Sequence, residues 1–508
     1  MMYITKVSLR NVRCFEDAEI NLSDCKPGTS VLIAGNNGTG KSAIIRAIAM
    51  GLCDRDSAAA LLRELSGNFV RFKDNKEETN KATIIVDLYD PEAEQGKQTF
   101  KVETKITEYP EIIGETVQQK IIIPHLDREI AIPEGLEDVI KECKNKKSGA
   151  VNKKAVAEFI PWINTFVTGY GPGLRTSGTA KFTEYFAPDA LYSVFNYSSP
   201  LQDPETAWRR LVDASRKTSL SKGEKEAEKA AKATDEKISK LIHGILGLEP
   251  DEEVVLENNG IFVKDRRRVG ELIELDAKGD GHKSLTKVLL DILIWYLLFD
   301  NYDENKRGDQ RTWRPLEIID QDGSISVPDV CGIVIIDEIE QHLHPTLQRR
   351  IIKSLSEKLP GVQFIISTHS PLCLSGTCDV REPENHGYKI YSVFKEDNGC
   401  QIQEKELPVG LRADQILVDY FELTTTVNVT LQKKIDRLRE LFGKAKLEAA
   451  ETKEYVALDL ELRKEAPLLA EREDDRRREM ERDKVTEELT NMLIKQGLLK
   501  DDQTKKHT

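Results

Sequence analysis

Eight consecutive residues, Gly35-Asn36-Asn37-Gly38-Thr39-Gly40-Lys41-Ser42, fit the pattern GxxxxGK[ST] and restrict the fold of this chain more than any other stretch. The glycines let the backbone turn tightly enough to aim successive N–H groups at a phosphate. Lys41 adds a mobile cation for the β- and γ-phosphates, and Ser42 offers a hydroxyl to Mg²⁺. Before the loop, Ser30-Val31-Leu32-Ile33-Ala34 predicts a short buried strand, and after it a helix runs from about Lys41 to Leu52. The positive end of that helix dipole falls at the loop. Asn36, Asn37, Gly38, Thr39, Gly40, Lys41 and Ser42 are the candidate nucleotide contacts, with ATP and Mg²⁺ as the implied ligands.

Two later segments complete the pattern. In Ile333-Val334-Ile335-Ile336-Asp337-Glu338 a buried strand delivers two carboxylates at its C-terminal end, where open α/β sheets bind ligands. Asp337 is the expected Mg²⁺ ligand, and Glu338, pointing the other way, is placed to polarise an attacking water. Phe364-Ile365-Ile366-Ser367-Thr368-His369 is a second buried strand ending in polar groups, with His369 expected to sense or hold a γ-phosphate. Strands apolar on both faces, such as Gly332–Ile336 and Val362–Ile366, belong inside a parallel sheet covered by helices; only Gln363 interrupts the second. The fold class is α/β, a mixed sheet with flanking helices.

Elsewhere, alternation in residues 3–22 predicts a hairpin, Lys26-Pro27-Gly28 a turn, and Ala82–Leu88 and Thr99–Ile106 two further strands. From about 110 to 215 the periodicity weakens and turn residues multiply, as in Gly169-Tyr170-Gly171-Pro172-Gly173. Residues 216–240 are Lys/Glu/Ala-rich and predict an exposed helix or a tether. An apolar helix covers 284–299, and a polar loop is expected over 304–328. Beyond Asp414 the chain reads as helical, with Leu431, Ile435, Leu438 and Leu441 at helix spacing; after Pro467 it becomes almost wholly charged over Glu471–Lys484. The expected division is 1–110, 111–270, 271–425 and 426–508: two lobes around a central helical or irregular insertion, then a charged helical tail.

With 74 Lys+Arg against 87 Asp+Glu the net charge is −13, which excludes a simple basic nucleic-acid clamp. The eight cysteines are scattered without CxxC spacing and read as free thiols. The first residues open as a strand rather than a signal segment, and the longest apolar run, Val288–Phe299, is broken by Asp291 and too short for a bilayer. A cytoplasmic protein without a membrane anchor is the expectation.

Together these motifs resemble the ABC/SMC-type P-loop ATPases, whose two phosphate-site halves are separated by a large insertion. The run Asp337-Glu338-Ile339-Glu340-Gln341-His342-Leu343-His344-Pro345 is similar to the DE-x-E-x-x-LHP segment of the branch holding RecF and the OLD nucleases. By that resemblance Glu340–Pro345 faces a second subunit, and His342 and His344 are not metal ligands. Leu9-Arg10-Asn11-Val12-Arg13-Cys14-Phe15 resembles the branch's opening segment, which makes Arg13 a candidate contact to the base. Gly279-Asp280-Gly281-His282-Lys283-Ser284-Leu285 stands in the signature position, so Asp280 and Gly281 would meet the γ-phosphate of a partner subunit. Gly279 replaces the signature serine, and Phe69-Val70-Arg71-Phe72-Lys73 lacks the Q-loop glutamine.

Gly169-Tyr170-Gly171-Pro172 with Arg175, the Ser199–Trp208 stretch, and Arg412–Leu417 with Phe421–Thr425 narrow the resemblance to the PtuA-like ATPases of Septu systems and certain retrons, with PARIS-type ATPases close by. What that resemblance implies is ATP hydrolysis, slowed by the missing signature serine at Gly279, a head-to-tail dimer or a higher oligomer, and control of a separate nuclease effector. No zinc framework of the HNH kind is seen, and the tail after residue 425 has no acidic cluster resembling a Toprim domain. A RecF-like clamp that binds DNA directly, and a scaffold that does not hydrolyse ATP, remain the alternatives.

Overall fold

The computed structural model describes residues 2–25, 29–65, 69–71, 81–91, 99–111, 121–131, 165–172, 182, 184–257, 260–267, 271–307, 330–378, 387–396, 399–423, 429–444 and 449–466. The Lys26–Gly28 turn, most of the 304–328 loop and the charged segment after Pro467 lie outside them. The chain divides into two units, Met1–Glu422 and Leu423–Thr508.

The expected hairpin is β1 (Tyr3–Val12) and β2 (Phe15–Asn21), and β3 is Ser30–Gly35. Next come β4 (Lys81–Tyr89), β5 (Thr99–Glu111) and β6 (Ile121–Ala131). These form an antiparallel sheet in the order β2-β1-β4-β5-β6. A small antiparallel sheet pairs β8 (Glu252–Glu257), β9 (Gly260–Asp265) and β10 (Leu272–Glu274). The third sheet carries the phosphate loop. Its order is β14-β13-β3-β12-β11-β7, with β7 Val167–Tyr170, β11 Gly332–Ile336, β12 Val362–Thr368, β13 Tyr388–Glu396 and β14 Gly399–Lys405. Every pairing in it is parallel except β13 with β14.

Strand periodicity divides the central strands between two cores. Leu32, Ala34, Val334, Ile336, Phe364 and Ile366 face a core built on the helix Asp280–Arg307 and on Trp208. Val31, Ile33, Ile333, Ile335 and Ile365 face the antiparallel sheet and the helix Lys41–Gly51. Residues expected as an insertion thus supply the edge strand β7, buried at all four positions. Four residues, Val-Thr-Gly-Tyr, are too few to show a period and contain a glycine, so they read as turn. The 216–240 run is helical, within Pro204–Ser219 and Glu224–Leu246, but it is not a bare tether: Ala227, Ala231, Ile238, Leu241 and Ile242 are buried.

Two buried polar residues tie these layers. Asp291, inside the long apolar helix, accepts from the Tyr170 hydroxyl (3.0 Å) and the Gln202 N–H (3.2 Å), and burial pushes its carboxyl up to about 7. Gln363 explains the break in β12. Its amide takes the Ile4 N–H (2.7 Å) and donates to the Ile4 and Thr29 carbonyls (3.0 and 3.2 Å), joining β1 to the central sheet.

In the second unit, the expected helix Val429–Gly443 packs Ile435 and Leu438 on Leu462 of the helix Ala449–Glu465. Among the described residues, no helix is long and apolar enough to cross a membrane.

Replacing Gln363 by leucine keeps the volume but leaves both polar groups of Ile4 without partners. Its urea midpoint is expected to fall by the equivalent of about 3 kcal/mol, the cost of such buried orphans, where a surface glutamine would move it little.

Candidate functional site

The phosphate loop spans the gap between β3 and the helix Lys41–Gly51. Its last residue, Gly40, has φ 98° and caps the helix without a side chain. A Cβ there would also come within 2.4 Å of Cys14 Sγ and 2.8 Å of the Phe15 ring, so the β1–β2 turn presses on the loop and only glycine fits. Thr39 Oγ1 donates to the Asn36 carbonyl (2.9 Å), and Asn36 Nδ2 to the Phe421 carbonyl (2.5 Å). Asn37 and Gly38 are exposed.

Lys41 is buried, and its ammonium donates to the carbonyls of Gly35 and Asn36, each at 2.8 Å, and lies 3.2 Å from His369 Nδ1. Burial lowers its pKa to about 8, against the pull of Asp337, Glu338 and Glu340.

Asp337 ends β11 and is 1% exposed. Its N–H donates to the Tyr170 carbonyl (2.7 Å), and its Oδ1 accepts from Ser367 Oγ (2.5 Å). Burial raises its carboxyl above the usual range, while the hydroxyls of Ser367 and Ser42 and the Arg46 guanidinium act against that. Oδ2 is buried without a hydrogen-bond partner. An orphaned carboxylate oxygen beside the Ser42 hydroxyl is a pair of hard oxygen donors, which fits Mg²⁺. No group of three or more His, Cys, Asp or Glu among the described residues is arranged to hold a metal alone, His342 and His344 included.

Glu338 sits at φ 55°. Its N–H donates to Ser367 Oγ (2.8 Å), so one hydroxyl holds both acidic residues, and its carboxylate accepts from Gln341 Nε2. Glu338 Oε1 lies 3.6 Å from His369 Nε2. Because Lys41 only donates, the neutral His369 ring accepts at Nδ1 and carries its proton at Nε2, toward Glu338.

The histidine loop is held from within the chain. Glu340, expected to face another subunit, accepts from the His369 N–H (2.6 Å) and the Thr368 hydroxyl (2.7 Å). A carboxylate at this distance from two donors is a stronger anchor than a neutral acceptor. Gln348 accepts from Ser370 Oγ (2.7 Å) and donates to the Leu343 carbonyl (2.9 Å). Sequence reading missed both roles, although Glu340 lies only three residues beyond Asp337.

The remaining candidates lie around this group. Arg13, at φ 46°, stacks its guanidinium 5.8 Å from the Phe69 ring centre, and the neighbouring Cys14 touches the phosphate loop. Arg71 donates to the Cys14 carbonyl (3.1 Å). Asp280 is exposed and Gly281 buried at the start of the long helix; a Cβ on Gly281 would come 2.7 Å from the His342 carbonyl. Gly279 has φ 131°, a backbone state costly for serine, which gives the signature departure a conformational reason.

Glu340→Ala is expected to lower unfolding stability by about 2–3 kcal/mol through two orphaned donors in the histidine loop. Glu340→Gln, still able to accept one of them, should recover roughly half of that in the same denaturation series.

Two family models match the chain: "AAA domain" over residues 6–245, and "AAA domain, putative AbiEii toxin, Type IV TA system" over residues 213–375. The chain is 57% identical over 44 residues to the Retron Vc95 probable ATPase of Vibrio cholerae serotype O1 biovar El Tor, covering 9% of each. It is 49% identical over 51 residues to Septu protein PtuA of Bacillus mycoides (strain KBAB4), covering 10% of this chain and 7% of that one. The matched stretch thus spans less than a tenth of the length of these relatives. Among solved structures, an SMC head bound to the C-winged helix domain of ScpA aligns over 80% of this chain and 98% of its own, with 14% identity and a TM-score of 0.41. With its lysine loop, paired acids and histidine gathered at one end of a parallel sheet, and with AAA-domain models matching residues 6–245 and 213–375, the chain carries a P-loop ATPase domain.

Proposed function

We propose that the chain hydrolyses ATP within a dimer of heads and uses that cycle to control a separate nuclease effector in antiphage defence. One observation carries the chemical part: His369 bridges Lys41 (3.2 Å) and Glu338 (3.6 Å), so the phosphate-binding cation and the acid are joined through a single ring. Lys41 and the backbone around Gly38–Gly40 bind the β- and γ-phosphates. Ser42 and Asp337 would hold Mg²⁺, which supplies neutralising charge to those phosphates. Glu338 orients a water whose oxygen attacks the γ-phosphorus. The bond to the β-phosphate oxygen breaks as that one forms, and Glu338 takes the proton. His369, fixed by Glu340, reports the γ-phosphate to the strand end that carries Glu338.

The dimer is supported by the exposed Asp280 at the start of the long helix, where its N–H groups can meet the phosphate of a second head. Arg13 is assigned to the base. The defence role is supported by the names of the relatives, a retron ATPase and a Septu protein. A cytoplasmic location accords with this role.

Lys41→Ala is expected to abolish nucleotide binding, measured with a fluorescent ATP analogue. Glu338→Gln should retain ATP and run as a larger species in light scattering; a monomer without bound ATP would sink the assignment. The Lys41 ammonium is complete below pH 8 and is lost above it. ATP is therefore expected to bind about tenfold more weakly at pH 9 than at pH 7 and to take up a proton there, read by calorimetry in two buffers. A tagged chain expressed with its neighbouring genes should bring down a nuclease under ATP control. Recovery alone, with ATP-dependent DNA binding, would replace this role with that of a DNA clamp.

A further inference from the structure

Ser42 and Arg46 lie one helical turn apart and share a face of the helix Lys41–Gly51. A residue far along the sequence, Tyr197, occupies that face. Its hydroxyl accepts from Arg46 Nη2 (2.5 Å), and the Arg46 guanidinium lies 5.2 Å from its ring centre. The Ser42 hydroxyl is near enough to act on the Tyr197 phenol, and so, electrostatically, are Asp337 and Glu338.

The placement is enforced from three sides. Arg46 Nε donates to the Val194 carbonyl (3.1 Å), pinning the end of the helix Ala187–Phe195. Asn196 Nδ2 donates to the Tyr192 hydroxyl (3.2 Å). Gly171, just after β7, has no side chain, and a Cβ there would come 2.9 Å from the Tyr197 ring. Even so, Tyr197 keeps 38% of its surface exposed, so it is no simple core residue.

We infer that Tyr197 donates its hydroxyl proton to the oxygens of the magnesium–phosphate group beside Ser42. Because Arg46 already donates to the phenol oxygen, the phenol's own proton is the one available for a further acceptor. Once the Ser42 oxygen is given to the metal, the phosphate and water oxygens around it become that acceptor. The described part of the segment expected to carry a glutamine does not compete for this place: Phe69 stacks with Arg13, and Arg71 donates to Cys14. The inference rests on the proposed ATPase reading, which it extends by one residue.

The test is Tyr197→Phe, which keeps the ring on Arg46 and removes the oxygen. ATP affinity is measured in EDTA and across a Mg²⁺ titration, with wild type and Lys41→Ala alongside, followed by single-turnover hydrolysis. The expected result is wild-type affinity in EDTA, a several-fold higher Mg²⁺ requirement, and hydrolysis slowed by about 100- to 1,000-fold, the range for one lost donor. An unchanged Mg²⁺ requirement would overturn the inference, and so would equal weakening in EDTA, which marks a structural role. If wild type binds no ATP, the ATPase reading itself fails and the inference falls with it. If wild type binds and turns over and the phenylalanine variant matches it, only the inference fails. Equal melting temperatures for the two proteins confirm that folding is not what is being read.

Discussion

The parallel pairing of β12 between β3 and β11 governs everything else in this head. It sets Thr368 opposite Ala34 and Ile336 opposite Ile366, so three strands end side by side. Neighbouring strands are about 4.8 Å apart, and the residues that follow those ends are the lysine loop, the acid pair and the histidine. A slip of one residue between β11 and β12 would turn Ser367 away from Asp337, whose Oδ1 it holds. Gln363 guards the start of β12 and Glu340 its end, both with hydrogen bonds to backbone groups of other segments.

This arrangement concentrates charge in a dry place. Lys41 is buried among its own loop carbonyls, with three carboxylates pulling on it. Asp337 is more buried still and relies on Ser367 for one oxygen only. Neither group is comfortable by itself, since burial disfavours both charged forms. The strain is of the kind a divalent cation and a phosphate would relieve together, which is how a binding site differs from a satisfied core.

Much of this was legible because apolar runs are unambiguous in a central parallel sheet. β3, β11 and β12 are continuous stretches of Val, Ile, Leu and Ala, or nearly so, and each runs straight into its polar motif. What stayed hidden depends on contacts that no local pattern records. β7 is four residues long with a glycine inside it. Glu340 looks like part of a surface segment until β12 is laid beside β11. Tyr197 follows an ordinary amphipathic helix and reaches Arg46 only because Gly171 leaves room. Gly279 reads as a lost hydroxyl in sequence but as a backbone requirement in three dimensions.

Lys41 and His369 touch across 328 positions of sequence. During synthesis the phosphate loop therefore emerges long before the residues that complete it, and a chain still on the ribosome has no complete nucleotide site until β12 has joined the sheet. Contacts of such separation form late, after the entropy of a very long loop has been spent. A nucleotide that binds only where both ends have met would act as a clasp on the finished fold and draw the folding equilibrium toward it. The capacity to bind nucleotide would thus mark a chain whose two distant halves have met.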